Sequence, residues 1–149
     1  MNVLTRSITI DAPVDAVFDY ALDVGRLWKV KDVALTDVDI KPGGVGTSAR
    51  MYTHLWALHI EGGIEYTEVV PGERIVARVV DFLVVDEPTW TFSFAPAAGG
   101  TTVTVTGEWT VKVPAVGKPI ETMMVKGHEP MIEALLDNLK TQVEAKAAA

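Results

Sequence analysis

A chain of 149 residues with 48% hydrophobic residues, four Trp, four Phe and three Tyr is long enough to bury roughly two-thirds of its unfolded surface, which points to one folded domain over 1–149 and excludes a disordered polymer. Thirteen basic against twenty acidic side chains leave a formal charge of −7, which repels phosphate backbones and anionic lipid and argues against nucleic acid as a partner. The absence of cysteine rules out disulfides, thiolate metal sites and cysteine nucleophiles, and no apolar run approaches the roughly 18 residues of a membrane span; a cytoplasmic protein without stable membrane insertion is expected.

Residues 4–10 read as a strand with Ile8 and Ile10 on one face. Asp11 before Ala12 and Pro13 then suits a helix N-terminus, supplying a side-chain acceptor and a first-turn proline. Val14, Val17, Phe18 and Leu22 continue at helical spacing, Gly25 ends that helix, and a short second helical piece carries Leu27, Trp28 and Val30. A strand over 33–40 follows, then a turn marked by Pro42, Gly43, Gly44 and Gly46; with no following helix or P-loop lysine, this cluster is not a phosphate loop. From there strand follows strand, at 47–57, 60–70, 73–82, 88–95 and 101–112, punctuated by Gly-Gly, Pro-Gly, Asp-Glu-Pro and Gly-Gly. The last of them alternates Val103, Val105, Gly107, Trp109 and Val111 with Thr102, Thr104, Thr106, Glu108 and Thr110, a half-buried pattern. Residues 115–146 close the chain as one long helix. Its apolar stripe runs through Met124, Met131, Leu135, Leu139 and Val143, broadened by Met123, Ile132 and Leu136, and Gly127 with Pro130 should bend it.

The order strand, two short helices, six antiparallel strands and a long terminal helix carries four local signatures: Ile10-Asp11-Ala12-Pro13, Pro42-Gly43-Gly44-Val45-Gly46-Thr47, Thr67-Glu68-Val69-Val70-Pro71-Gly72-Glu73-Arg74 and Gly99-Gly100-Thr101-Thr102-Val103-Thr104. Over essentially its whole length the chain thereby resembles the SRPBCC or START-like superfamily, and within it the polyketide cyclase/dehydrase and lipid-transport group. The resemblance implies an α+β helix-grip fold, a curved antiparallel sheet wrapped around the C-terminal helix, with a hydrophobic cavity between them. It implies no single activity, because lipid carriers, hormone receptors and aromatase/cyclases share the fold.

Arg50, Tyr52, His54 and Trp56 share one face of their strand, and Met51, Thr53 and Leu55 share the other. Either face suits the interior. If the first points inward, it places a cation, a phenol, an imidazole and an indole on an apolar wall made with Ile64, Tyr66, Trp90, Phe92, Val105, Trp109, Met124, Met131 and Leu135, a mixture that orients a carbonyl- or hydroxyl-bearing ligand. In an enzyme, His54, Arg50 and Tyr52 would be the groups for proton transfer and enolate stabilisation. His54 and His59 stand five apart, on opposite faces of a regular strand, so no metal site is expected, and no cofactor is needed. The serines lack a nucleophile elbow. The leading expectation is binding or transport of a small hydrophobic molecule, such as a lipid, isoprenoid or polyketide. The alternatives are a polyketide aromatase/cyclase or dehydratase, and a protein-interaction module whose cavity is filled.

Overall fold

Seven segments rich in β-branched and aromatic residues pair antiparallel into one sheet, and the computed structural model describes them within residues 2–30, 33–55, 58–80, 85–111 and 117–148, with side chains for all of these except 2, 54–55, 58–60, 85–87, 111, 117–127 and 148. In chain order the elements are β1 (Asn2–Ile10), α1 (Val14–Leu22), α2 (Val24–Leu27), β2 (Val33–Asp39), β3 (Ser48–Leu55), β4 (Leu58–Val70), β5 (Arg74–Val80), β6 (Val85–Ala97), β7 (Gly100–Val111) and α3 (Gly117–Ala148). The sheet order is β1-β7-β6-β5-β4-β3-β2. Consecutive strands from β2 to β7 are neighbours, and β1 joins the far side by pairing with β7 from Asn2↔Trp109 to Ile10↔Thr101. The expected α+β helix-grip fold is the one found. Helix α3 packs on β1 and β7 near one edge and on β3 near the other, as well as on α1. A sheet that reaches the same helix from both ends has to curl around it.

The core lies in that curl. Trp90, Phe92 and Phe94 of β6 and Val103, Val105 and Trp109 of β7 are buried, as are Ile132, Leu135, Leu136, Leu139 and Val143 of α3. Short polar ties fasten the helices to the sheet. The Tyr66 hydroxyl donates to the Ala21 carbonyl (2.8 Å), holding the end of α1 on β4, and the Thr101 hydroxyl donates to the Ala12 carbonyl (2.8 Å). Lys140 of α3 donates from Nζ to the Thr9 carbonyl (2.9 Å), and Arg6 of β1 lies 3.1 Å from Glu129.

Several local expectations are corrected. Asp11 does not cap α1: Pro13 occupies the N-cap without a side-chain hydrogen bond, and the Asp11 N–H donates instead to Glu144 Oε2 of α3 (2.8 Å). Gly25 does not end α1 but lies inside α2, where its N–H meets Oδ1 of the capping Asp23 (2.9 Å). Asp86, Glu87 and Pro88 do not separate strands. They lie within β6, whose register to β7 shifts between Asp86 and Thr89, and a bulge is where a strand tolerates proline. Gly62 and Gly63 likewise sit inside β4; a Cβ on Gly62 would stand 2.7 Å from the Val80 carbonyl oxygen of β5, so this glycine marks a close backbone approach and not a turn. The Pro42–Gly46 segment is the expected turn, with Gly43, Gly44 and Gly46 all at positive φ. Pro130 falls inside α3, which continues past it.

Candidate functional site

The wall facing α3 is set by strand parity. On β6 the odd partners Thr89, Thr91 and Ser93 are less buried than Trp90 and Phe92, which turn to the core; on β7, Val105 and Trp109 do the same. Between them in register, Gly107 sits directly across from Trp90. A Cβ on Gly107 would meet the six-membered ring of Trp90 at 2.2 to 2.6 Å, so the indole lies against the bare backbone of β7. Trp90 also stands beside Trp109, with ring centres 6.1 Å apart and planes at 32°.

His128 of α3 completes the cluster, its ring centre 5.4 Å from Trp90 and 5.6 Å from Trp109. The residue is buried on the same helix stripe as Ile132, Leu135, Leu139 and Val143. Trp28, fully buried just after α2, meets the group edge-on, 6.4 Å from Trp90 and 5.7 Å from Phe92. Five π systems thus line one region, an arrangement that suits flat or unsaturated ligands. The Trp109 indole N–H is buried and finds no acceptor among the described residues, whereas the equally buried Trp28 N–H is directed at the Tyr66 hydroxyl beyond full hydrogen-bond geometry. A buried indole N–H ordinarily has a partner, and leaving one unpaired costs about 1–3 kcal/mol. Such a donor in an aromatic wall is suited to a carbonyl or hydroxyl oxygen.

The sequence-derived candidates divide. Ile64, Tyr66, Trp90, Phe92, Val105, Trp109 and Leu135 come together in the core, with Met131 packed against it. Tyr66 is committed elsewhere, through its bond to Ala21; burial pushes its phenol far up, with the charge of Asp23 adding to the effect and the nearby Trp28 indole opposing it. Of the two faces left open on β3, the structure turns inward the one holding Ala49 and Met51, each 4% exposed. Arg50 and Tyr52 are on the other face. The Arg50 guanidinium donates to Glu61 of β4 at 3.0 Å, and this bond, with a further one to Tyr52, raises its pKa. The placement of Arg50 and Tyr52 inside the wall is therefore corrected: the outer face offers Arg50 a carboxylate, while the core offers Met51 apolar contacts. The backbone of His54 pairs with that of His59 between β3 and β4, so the two positions stand across a ladder and not along a single strand; their side chains lie outside the described set, as do Trp56 and the side chain of Met124. Among the described residues no group of three or more His, Asp or Glu could hold a metal ion, and no helix is long and apolar enough to cross a membrane.

Sequence reading passed over His128 and Trp28 as members of this wall. The signal for His128 was present, since it stands four residues before Ile132 on the buried stripe. Trp28 carried none, because its partners Trp90 and Phe92 are more than 60 residues away in the chain.

Comparisons with known proteins agree with this architecture. The model of a family described as polyketide cyclase / dehydrase and lipid transport matches residues 1–144. A crystal structure of a Thermus thermophilus protein is similar at 23% identity and a TM-score of 0.82, over 98% of this chain and 99% of that one. The Zhui aromatase/cyclase from Streptomyces sp. R1128 aligns at 14% identity and a TM-score of 0.76, covering 97% and 94%. A START superfamily protein from Mycobacterium smegmatis aligns at 15% and 0.69, covering 96% and 97%. At these identities the likeness shows a shared fold. No curated protein matches the chain by sequence.

Proposed function

The chain belongs to the polyketide cyclase / dehydrase and lipid transport family, and from that premise we propose that it binds a hydrophobic small molecule carrying a carbonyl or hydroxyl group between the sheet and α3. The observation that carries this reading is the buried Trp109 indole N–H, which finds no acceptor among the described residues, on a wall otherwise made of Trp28, Trp90, Phe92 and His128. The rings supply apolar area for a flat or unsaturated body, and the Trp109 N–H fixes its oxygen. Binding or transport needs nothing further.

One observation favours a second reading, a cyclase or dehydratase acting on a polyketide-like substrate. His128 places an imidazole against the same rings that would hold the substrate, and proton abstraction beside a ketone needs a base there together with donors for the enolate oxygen. In this reading His128 replaces Arg50, Tyr52 and His54 as the group to test first.

Titration with fatty acids, isoprenoids and polycyclic phenols, followed by tryptophan emission and calorimetry, should give saturable binding by at least one class, with a smaller emission change in Trp109→Phe. A panel without saturable change in either measurement would sink the carrier reading. Incubation with a linear polyketone mimic, followed by mass spectrometry, separates the two readings: loss of water or ring closure that disappears in His128→Ala indicates catalysis, and unchanged ligand recovered in stoichiometric complex indicates carriage.

A further inference from the structure

Flanking the buried stripe of α3, Ala134, Asn138, Gln142 and Lys146 follow one another at intervals of four and so form a single stripe along the helix. They face Tyr20 of α1, Arg26 of α2 and the following Lys29 and Val30 across a groove of about 800 Å³. The groove has a fixed span, because Asn138 Nδ2 donates to the Lys29 carbonyl (3.2 Å) and ties α3 to the segment after α2. Its volume is that of small-molecule sites, which occupy roughly 300–1,000 Å³.

The charge distribution singles it out. In a chain of formal charge −7, Arg6, Arg26, Lys41, Arg50, Arg74 and Lys140 each stand within ion-pair distance of a carboxylate. Lys29 and Lys146 have no such partner among the described residues, and both line this groove. Arg26 adds a third cation, set over the Tyr20 ring at 5.8 Å and held by Asp23 at 3.3 Å. The Tyr20 phenol, its pKa raised chiefly by burial, stays protonated at neutral pH and can donate. Two carboxamides, Asn138 and Gln142, complete the polar lining, and Val30 and Ala134 give it an apolar patch. An adjoining hollow of about 360 Å³ shares Tyr20, Arg26 and Lys146 but adds Asp19, which makes that hollow less favourable to an anion than the main groove.

We propose that this groove is a second binding site, distinct from the interior between sheet and α3, for a small soluble organic anion bearing a phosphate or carboxylate group. Lys29 and Lys146 supply the charge, Gln142 and Tyr20 the neutral hydrogen bonds, and Val30 with Ala134 the contact for a short carbon skeleton, while Asn138 holds the groove open.

The test uses the full chain labelled with ¹⁵N, titrated with inorganic pyrophosphate and, separately, citrate. Saturable amide shifts confined to residues 20–30 and 134–146, weakened at least about tenfold in Lys29→Gln/Lys146→Gln and retained in Lys41→Gln, would support the site. Shifts that grow linearly with both probes, or that are equal in the two variants, would overturn it as general ionic association. Sedimentation with phosphatidylglycerol vesicles without any response to the soluble probes would overturn it in favour of a membrane surface. Equal thermal unfolding of both variants, expected from exposed side chains, confirms that the comparison is between folded proteins, and single Lys29→Gln and Lys146→Gln variants serve if the double variant is unstable.

Discussion

Replacing Gly107 by alanine should damage the aromatic wall by adding one carbon. The new Cβ would stand 2.2 Å from Trp90 Cζ3 and 2.6 Å from Cε3 and Cη2, whereas carbon atoms rest at roughly 3.5–4.0 Å. Trp90 would have to recede by about 1.3 Å, and Trp28, Trp109 and His128 already occupy the space around it. Overpacking of this kind costs about 1–3 kcal/mol, partly offset by the gain of about 0.5–1 kcal/mol that alanine brings over glycine in a strand. A net destabilisation of about 1–2 kcal/mol is expected, read as a lower urea midpoint at unchanged slope together with a weakened near-ultraviolet dichroism of the tryptophans. In a Trp90→Leu background the clash is gone, so the same substitution should stabilise, by about 0.5–1 kcal/mol. The sign reversal is the decisive result. Destabilisation by Gly107→Ala of equal size in both backgrounds would show that the ring contact is not why glycine is needed there.

Tyr66→Phe strips the buried Ala21 carbonyl of its donor and should cost about 1–3 kcal/mol in chemical unfolding without altering interior ligand affinity. Glu144 is held below the ordinary glutamate value of 4.5, first by the Asp11 N–H and then by Lys140. Its contribution to stability is therefore complete above that value and is lost as pH falls through the lower, folded one; the urea midpoint should drop faster below pH 4.5 in the parent than in Glu144→Gln, and parallel curves would contradict this. Pro130 is exposed inside α3 and cannot donate to the carbonyl of Lys126, so Pro130→Ala should raise stability by about 1–3 kcal/mol, an increase that an unchanged urea midpoint would rule out.

What could be read from the residues was what depends on near neighbours. The alternation of Thr102, Val103, Thr104 and Val105 named the buried face of β7 because period two is a local property, and Leu135, Leu139 and Val143 named the inner side of α3 for the same reason. The failures were at residues whose partners are remote. Asp11 looked like a cap until Glu144, 133 residues away, took its N–H. Gly62 looked like punctuation because nothing nearby reveals that the Val80 carbonyl approaches it. On β3, Arg50 and Met51 were equally acceptable inside; the cross-strand Glu61 decided the matter by giving Arg50 a partner on the outer face. Lys29 and Lys146 appear in the sequence as two ordinary surface lysines far apart, and only the packing of α3 against the segment after α2 sets them along one groove.

The pairing of β1 with β7 also governs how the chain must be made. Thr5 and Thr106, which meet across that pair, are 101 residues apart, and at synthesis rates of about 5–20 residues per second β1 waits roughly 5–20 s for its neighbour in the sheet. The intervening strands can zip in sequence as hairpins, each closing a short loop, while β1 can add only through the longest closure in the sheet. The same holds on refolding, where the β1–β7 seam should form last and set the slowest sheet-forming step. Until then the open edge of β7 is a ready acceptor for the β1 of another molecule, so exchange of the N-terminal strand between copies is the misassembly this topology invites at high concentration.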